Sequence, residues 1–84
     1  MATHMHFTKR SQLIDIERRN NSTNGNPKMK LEFANGITGI TKTDAMWVYG
    51  IDNSWIGKSV TFEFHYTNAG KCIIDDAKLE KTNA

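Results

Sequence analysis

The chain has 84 residues, enough for one small domain, and its 38% of apolar and 24% of charged residues exclude a disordered chain. The net charge of +2 and the isoelectric point of 8.8 permit a nucleic-acid partner without requiring one. The single cysteine, Cys72, excludes an internal disulfide, and no apolar run approaches the roughly 20 residues of a membrane span. We expect a cytoplasmic protein that does not enter a membrane.

The two ends of the chain are expected to lie outside the folded domain. Residues 1 to 4 end at His4, whose pair with Met5 is of the kind that often marks a cloning junction, and Met5 offers a second start. We expect the natural chain to begin at Met5 and the single domain to cover residues 5 to 80. Residues 81 to 84 are expected to fray.

The first element, within residues 7 to 19, is predicted to be a strand. Ile14 and Ile16 alternate with Asp15 and Glu17, and a period of two is typical of a strand with one buried face. A short helix is the alternative, because the segment also contains Lys, Arg, Gln and Glu, which are good helix formers.

A polar loop follows at residues 18 to 27, with four Asn, one Gly and one Pro. Its Asn24-Gly25 pair is a strong turn signal. Because residues 20 to 26 have no apolar anchor, we expect them to be the least ordered internal stretch.

Four further strands are predicted, at residues 28 to 33, 37 to 43, 58 to 66 and 71 to 79. Gly39 suggests a bulge or sharp bend in the third strand. The alternation predicts ten buried core residues: Ile14, Ile16, Met29, Leu31, Phe33, Ile40, Val60, Phe62, Phe64 and Ile74.

A short helix of about two turns is predicted between the third and fourth strands. Thr43 or Asp44 is a suitable N-cap, and Gly50 is a natural C-terminal stop. The resulting order is three strands, a short helix and two strands. This order predicts an all-β fold with one short helix, a small five-stranded barrel of the OB-like or SH3-like kind.

Several short motifs carry a resemblance across residues 24 to 75. They are Asn24-Gly-Asn-Pro27, Phe33-Ala-Asn-Gly36, Thr41-Lys-Thr-Asp44, Tyr49-Gly-Ile-Asp-Asn53, Gly57-Lys-Ser-Val-Thr-Phe62 and Gly70-Lys-Cys-Ile-Ile-Asp75. In these motifs the chain resembles a group of small, largely uncharacterised bacterial and phage proteins. The resemblance implies a shared OB-like or SH3-like barrel, and it implies no activity and no functional residue.

Basic residues suggest a nucleic-acid surface. If the first two strands are neighbours, Arg18, Arg19, Lys28 and Lys30 converge around the Asn-rich loop and form a positive rim suited to phosphates. The alternative is a solvated loop beside a strand guarded by lysines.

Aromatic residues could add base stacking to this rim. Trp47, Tyr49 and Trp55 follow the third strand, and single-strand-binding barrels stack bases on exposed aromatics. For Trp47 the favoured interpretation is a plug at the barrel end, whereas Trp55 is a candidate for stacking.

Catalytic residues, metal ligands and cofactors are not predicted. Asp75 and Asp76 are adjacent, so only one of them could join a site with Glu63 or His65, and the histidines have no ligand spacing. Cys72 is interpreted as a buried structural thiol.

We therefore expect a non-enzymatic binding module. The favoured partner is single-stranded DNA or RNA, bound through Arg18, Arg19, Lys28, Lys30 and Trp55. The alternative is a protein-interaction or self-assembly module of a phage or mobile-element protein, which binds a protein partner or itself.

Overall fold

The computed structural model describes residues 5 to 80, so the expectations for residues 1 to 4 and 81 to 84 lie outside the described residues. Five strands form a closed barrel, which confirms the predicted fold class. They are β1 (His6–Arg19), β2 (Lys28–Phe33), β3 (Thr38–Thr41), β4 (Ser59–Tyr66) and β5 (Cys72–Leu79). In the described range, no helix is long and apolar enough to cross a membrane.

The barrel closes in the order β1-β2-β3-β5-β4, with the long β1 shared by two neighbours. Residues 6 to 12 of β1 pair with β4, and residues 13 to 19 pair with β2. The β3–β5 pair is parallel, whereas the other four pairs are antiparallel. Closure pairs both sides of every strand, which limits unwanted pairing with other chains.

A β-bulge in β1 overturns one core prediction. The pairing with β2 shifts between Leu13 and Asp15, so the strict alternation of β1 is interrupted at Ile14. Leu13 is therefore fully buried, and Ile14 is 44% exposed. The prediction of a buried Ile14 is wrong, because a bulge changes which residues face the core.

The core lies inside the barrel and is otherwise close to the predicted set. Leu31, Phe33, Val60, Phe62, Phe64 and Ile74 are buried as predicted, and Leu13, Val48, Ile51 and Ala77 join them. The exposed Glu63 between Phe62 and Phe64 confirms the predicted register of β4. Ile16 and Met29 are only partly buried, because they lie toward the loop end of the β1–β2 ladder.

The buried position predicted for Ile40 is occupied by its neighbour Gly39 instead. Ile40 pairs with Lys30 and Ile73 and is only partly buried, whereas Gly39 is buried. The β2–β3 pairing keeps one register through Gly39, so the predicted bulge is wrong there. A Cβ on Gly39 would lie 2.7 Å from Ile74 Cδ1, so close packing accounts for the glycine.

The predicted helix is also replaced by tighter turns. Two 3₁₀ turns, Met46–Gly50 and Asn53–Trp55, connect β3 to β4. The cap position of the first turn is Ala45, and no side chain caps it, so the N-cap role predicted for Thr43 or Asp44 is wrong. Asp44 instead has a positive φ of 60° and turns its carboxylate toward the β1–β2 loop.

Candidate nucleic-acid interface

A shallow groove of about 560 Å³ runs over the outer face of the barrel. It is lined by Arg19, Asn20, Lys28, Lys30, Thr38, Gly39, Ile40, Lys71, Cys72 and Ile73. These residues come from the end of β1, from β2 and β3, and from the start of β5 with the loops at either side. Four of them are Lys or Arg and none is acidic, so the groove is suited to an anionic ligand.

The β1–β2 ladder gathers the cations on one side of the groove. Arg19 and Lys28 are directly opposite each other, and Glu17 is opposite Lys30. Because side chains alternate along a strand, these pairs share the outer face while Met29 and Leu31 turn inward. Three of the predicted basic residues therefore do meet.

Lys71 supplies positive charge from the other side of the groove. It lies in the β4–β5 loop, far along the chain from the other cations, and the parallel β3–β5 pairing brings its neighbours beside Ile40. Sequence reasoning missed Lys71, because only the crossover between β3 and β5 makes it a neighbour of β2 and β3. The signal available in the sequence was its position at the start of the last predicted strand.

Ion pairs leave part of this charge uncompensated. Glu17 contacts Arg19 at 3.6 Å and Lys30 at 3.9 Å, so one exposed carboxylate is shared between two cations. Within residues 5 to 80, Lys28 and Lys71 form no ion pair. These two lysines are the cations best placed to exchange counterions for phosphates.

Arg18 does not join the other three predicted cations. It is opposite Met29 in the ladder and therefore points away from the face that carries Arg19 and Lys28. Its guanidinium donates a hydrogen bond of 2.7 Å to Asn21 Oδ1. The expected convergence of all four basic residues is thus correct only for Arg19, Lys28 and Lys30.

The aromatic residues divide differently from the prediction. Trp55 is partly buried against the core and does not line the groove. Trp47 also packs on the core, and its indole N–H donates to the Asp75 carbonyl at 2.9 Å, in keeping with the expected plug. Tyr49 is 57% exposed and donates to Asn26 Oδ1 at 2.6 Å. Tyr49 is therefore available for stacking beside the β1–β2 loop.

That loop is held by one carboxylate rather than by apolar contacts. Asp44 accepts hydrogen bonds from Ser22 at 2.5 Å, Asn24 at 2.8 Å and Asn26 at 2.9 Å. These bonds, that from Ser22 foremost, lower the pKa of Asp44, because they stabilise its charged form. The mobility predicted for residues 20 to 26 stays a prediction. It was based on the lack of an apolar anchor, and the hydrogen bonds to Asp44 provide a polar one.

Acidification is expected to release this loop. Since the folded state lowers the pKa of Asp44, its contribution is complete above the ordinary aspartate pKa of 3.8 and is lost as the pH falls through the lower folded value. Side-chain amide NMR signals of Asn24 and Asn26 should shift together in that acid range. Asp44→Asn should shift them already at neutral pH.

The matched control for this experiment is Asp52→Asn. Asp52 also has a lowered pKa, caused by hydrogen bonds from the Ser54 side chain and backbone, but it does not touch the loop. Unchanged Asn24 and Asn26 signals in Asp44→Asn would show that the carboxylate does not hold the loop.

A second group of polar side chains meets on the face formed by β1, β4 and β5. His6 and His65 are cross-strand partners, and both contact Asp75. These residues have no ligand spacing in the sequence, because strand pairing brings them together across most of the chain. Nearby, Cys72 is partly buried, and burial raises the pKa of its thiol, with Asp75 adding to the effect.

Searches of family models, curated proteins and solved structures found no match for this chain. The resemblance to small bacterial and phage proteins therefore stays a prediction.

Proposed function

We propose that this protein binds single-stranded nucleic acid in the groove over β2 and β3. The observation that carries the proposal is the placement of Arg19, Lys28, Lys30 and Lys71 around a groove whose lining residues include no Asp or Glu. Phosphates of a single strand would exchange their counterions for these cations. The partly buried Ile40 and Ile73 between them offer an apolar floor for sugars and bases.

The arrangement of the strands supports an OB-type rather than an SH3-like barrel. In its favour are the sharing of β1 between β2 and β4 and the parallel pairing of β3 with β5. OB folds bind oligonucleotides on the face of strands 2 and 3, between the loops that join strands 1–2 and 4–5. The groove is bordered by those same loops through Asn20 and Lys71, respectively.

Tyr49 is the stacking residue that we propose in place of Trp55. Tyr49 does not line the groove itself, but its ring is exposed and its hydroxyl contacts the loop that borders the groove. Stacking on an aromatic ring contributes about 1–3 kcal/mol per base and tolerates any sequence. A module with this chemistry binds nucleic acid without catalysis. A cytoplasmic location suits a nucleic-acid partner and remains a prediction.

Salt dependence tests the proposal. Fluorescence anisotropy of a labelled, mixed-sequence DNA single strand should show binding at low salt that weakens steeply as salt increases. Replacing Lys28 and Lys71 by Gln should flatten the slope of log affinity against log salt by about 1.4, since each single-strand phosphate contact contributes about 0.7. Tyr49→Ala should lower affinity without changing the slope.

The matched control is the Lys9→Gln, Lys78→Gln variant. Both lysines are exposed and lie outside the groove, so this variant changes the net charge equally. If both double variants change the affinity and its salt dependence equally, only the net charge of the protein matters and the groove is not the binding site. Absence of wild-type binding at low salt would leave a protein partner, or a second copy of this chain, as the alternative. Analytical ultracentrifugation would then test for self-assembly.

A further inference from the structure

Two histidines and two carboxylates meet on the outer face where β1, β4 and β5 lie side by side. His6 and His65 are opposite each other in the β1–β4 ladder. The β4–β5 pairing passes from Glu63 opposite Asp76 to Phe64 opposite Ile74, so Asp75 is the extra residue of a bulge. A bulge redirects a side chain, and here it places the Asp75 carboxylate against the imidazoles.

The distances in this cluster suit a small metal ion. Asp75 Oδ2 lies 2.8 Å from His65 Nδ1 and 3.0 Å from His6 Nδ1, and Glu63 Oε1 lies 3.4 Å from His6 Nδ1. Candidate ligand atoms of His6, His65 and Asp75 all lie within 4.8 Å of one another. Tetrahedral zinc with bonds of about 2.0–2.1 Å holds its ligand atoms about 3.3 Å apart. Only small movements would convert the cluster into a coordination shell.

The surroundings of Asp75 favour a cation over a purely hydrogen-bonded cluster. The Asp75 side chain is only 10% exposed and that of His65 only 17% exposed. Within residues 5 to 80, no Lys or Arg forms an ion pair with Asp75 or Glu63. Asp75 therefore contacts both imidazoles and Glu63 contacts that of His6, without a Lys or Arg side chain to balance the two carboxylates.

Outer contacts already fix the position of the central ligand. The Trp47 indole N–H donates to the Asp75 carbonyl at 2.9 Å, which ties the bulge to the turn that follows β3. The rings of His6 and His65 lie with their centroids 5.0 Å apart. The Trp47 hydrogen bond holds the backbone of the bulge, and thereby helps to orient the Asp75 side chain before a metal binds.

We propose that His6, His65 and Asp75 form a binding site for a divalent transition-metal ion of the zinc class. Two imidazole nitrogens and one carboxylate suit Zn²⁺ and similar ions, whereas Mg²⁺ and Ca²⁺ prefer oxygen ligands alone. Glu63 or a water molecule would complete the coordination. Because His6 lies at the start of β1, the ion would fasten this end of the strand to β4 and β5.

Isothermal titration calorimetry of the full chain, freed of metal with EDTA, tests the site with zinc chloride. One Zn²⁺ per chain should bind, and His65→Gln should weaken binding by more than about 100-fold, beyond the usual effect of losing an outer-shell partner. His6→Ala, at a half-exposed position, provides a second variant that is less able to disturb folding. Zinc should also raise the melting temperature of the wild type by at least about 4 °C.

The third histidine of the chain supplies the control. His4 lies just before the site in the sequence, so His4→Ala separates the proposed site from adventitious binding by a histidine near the chain start. Retained binding in His4→Ala with loss in His6→Ala and His65→Gln would support the proposal. No wild-type binding at about 100 μM Zn²⁺, or equal loss in His4→Ala, would overturn it. Magnesium binding as tight as zinc binding would also overturn it.

Discussion

Phe62→Ala is expected to destabilise the domain by about 3–5 kcal/mol. The Phe62 ring is 1% exposed and stacks on Phe33, with ring centroids 3.8 Å apart and planes 9° from parallel. This contact joins β4 to β2, which are not neighbours in the barrel, so truncation leaves a cavity that strand pairing cannot close. Small domains are stable by only about 5–15 kcal/mol, and the variant should approach the limit of folding.

Urea denaturation followed by tryptophan fluorescence would measure this loss. Phe7→Ala is the matched control, because Phe7 is 37% exposed and touches Phe64 and Tyr66 at the barrel rim. It should cost less than Phe62→Ala, about 1–2 kcal/mol, because the ring is partly exposed and loses two aromatic contacts without leaving a cavity in the core. Equal destabilisation by both substitutions would mean that Phe62 does not fill the centre of the barrel.

The barrel could be predicted from the sequence, because the alternation of polar and apolar residues matches the strands that the fold contains. Alternation across β2 and β4 correctly places Phe33, Phe62 and Phe64 inside, and the polar segments mark where the strands end. Alternation fails at Ile14, because a bulge adds a residue without any change in composition. It fails at Ile40, because the two buried positions of the short strand β3 are Gly39 and Thr41, on either side of Ile40.

The candidate sites depended on pairings that are remote in sequence. Arg19 and Lys28 flank one loop, so their meeting could be predicted from a hairpin. Lys71 reaches the groove only through the parallel contact of β3 with β5. His6 and His65 meet only because the two ends of β1 pair with different strands. Local periodicity therefore could not predict that Lys71 lies at the groove or that His6 lies beside His65.

Gly39→Ala is expected to destabilise the barrel by about 1–3 kcal/mol through overpacking. The added Cβ would lie 2.7 Å from Ile74 Cδ1 and 2.9 Å from Cys72 Sγ, closer than Cβ atoms normally approach other atoms. Ile74 is fully buried, so its side chain has little room to withdraw. We therefore expect β3 and β5 to move apart where only two residue pairs join them, Ile40 with Ile73 and Thr41 with Ile74.

Gly50→Ala is the matched control for this prediction. A Cβ at Gly50 meets nothing within 4 Å, and its φ lies outside the positive range that disfavours side chains. Its effect on the free energy of unfolding should stay within about 0.5 kcal/mol, as at other open surface positions. Because Gly39 also lines the groove, Gly39→Ala should weaken single-strand binding as the β3–β5 seam opens, while Gly50→Ala should leave binding intact. If the two alanine variants unfold at the same urea concentration, close packing at the β3–β5 seam is not the reason for Gly39.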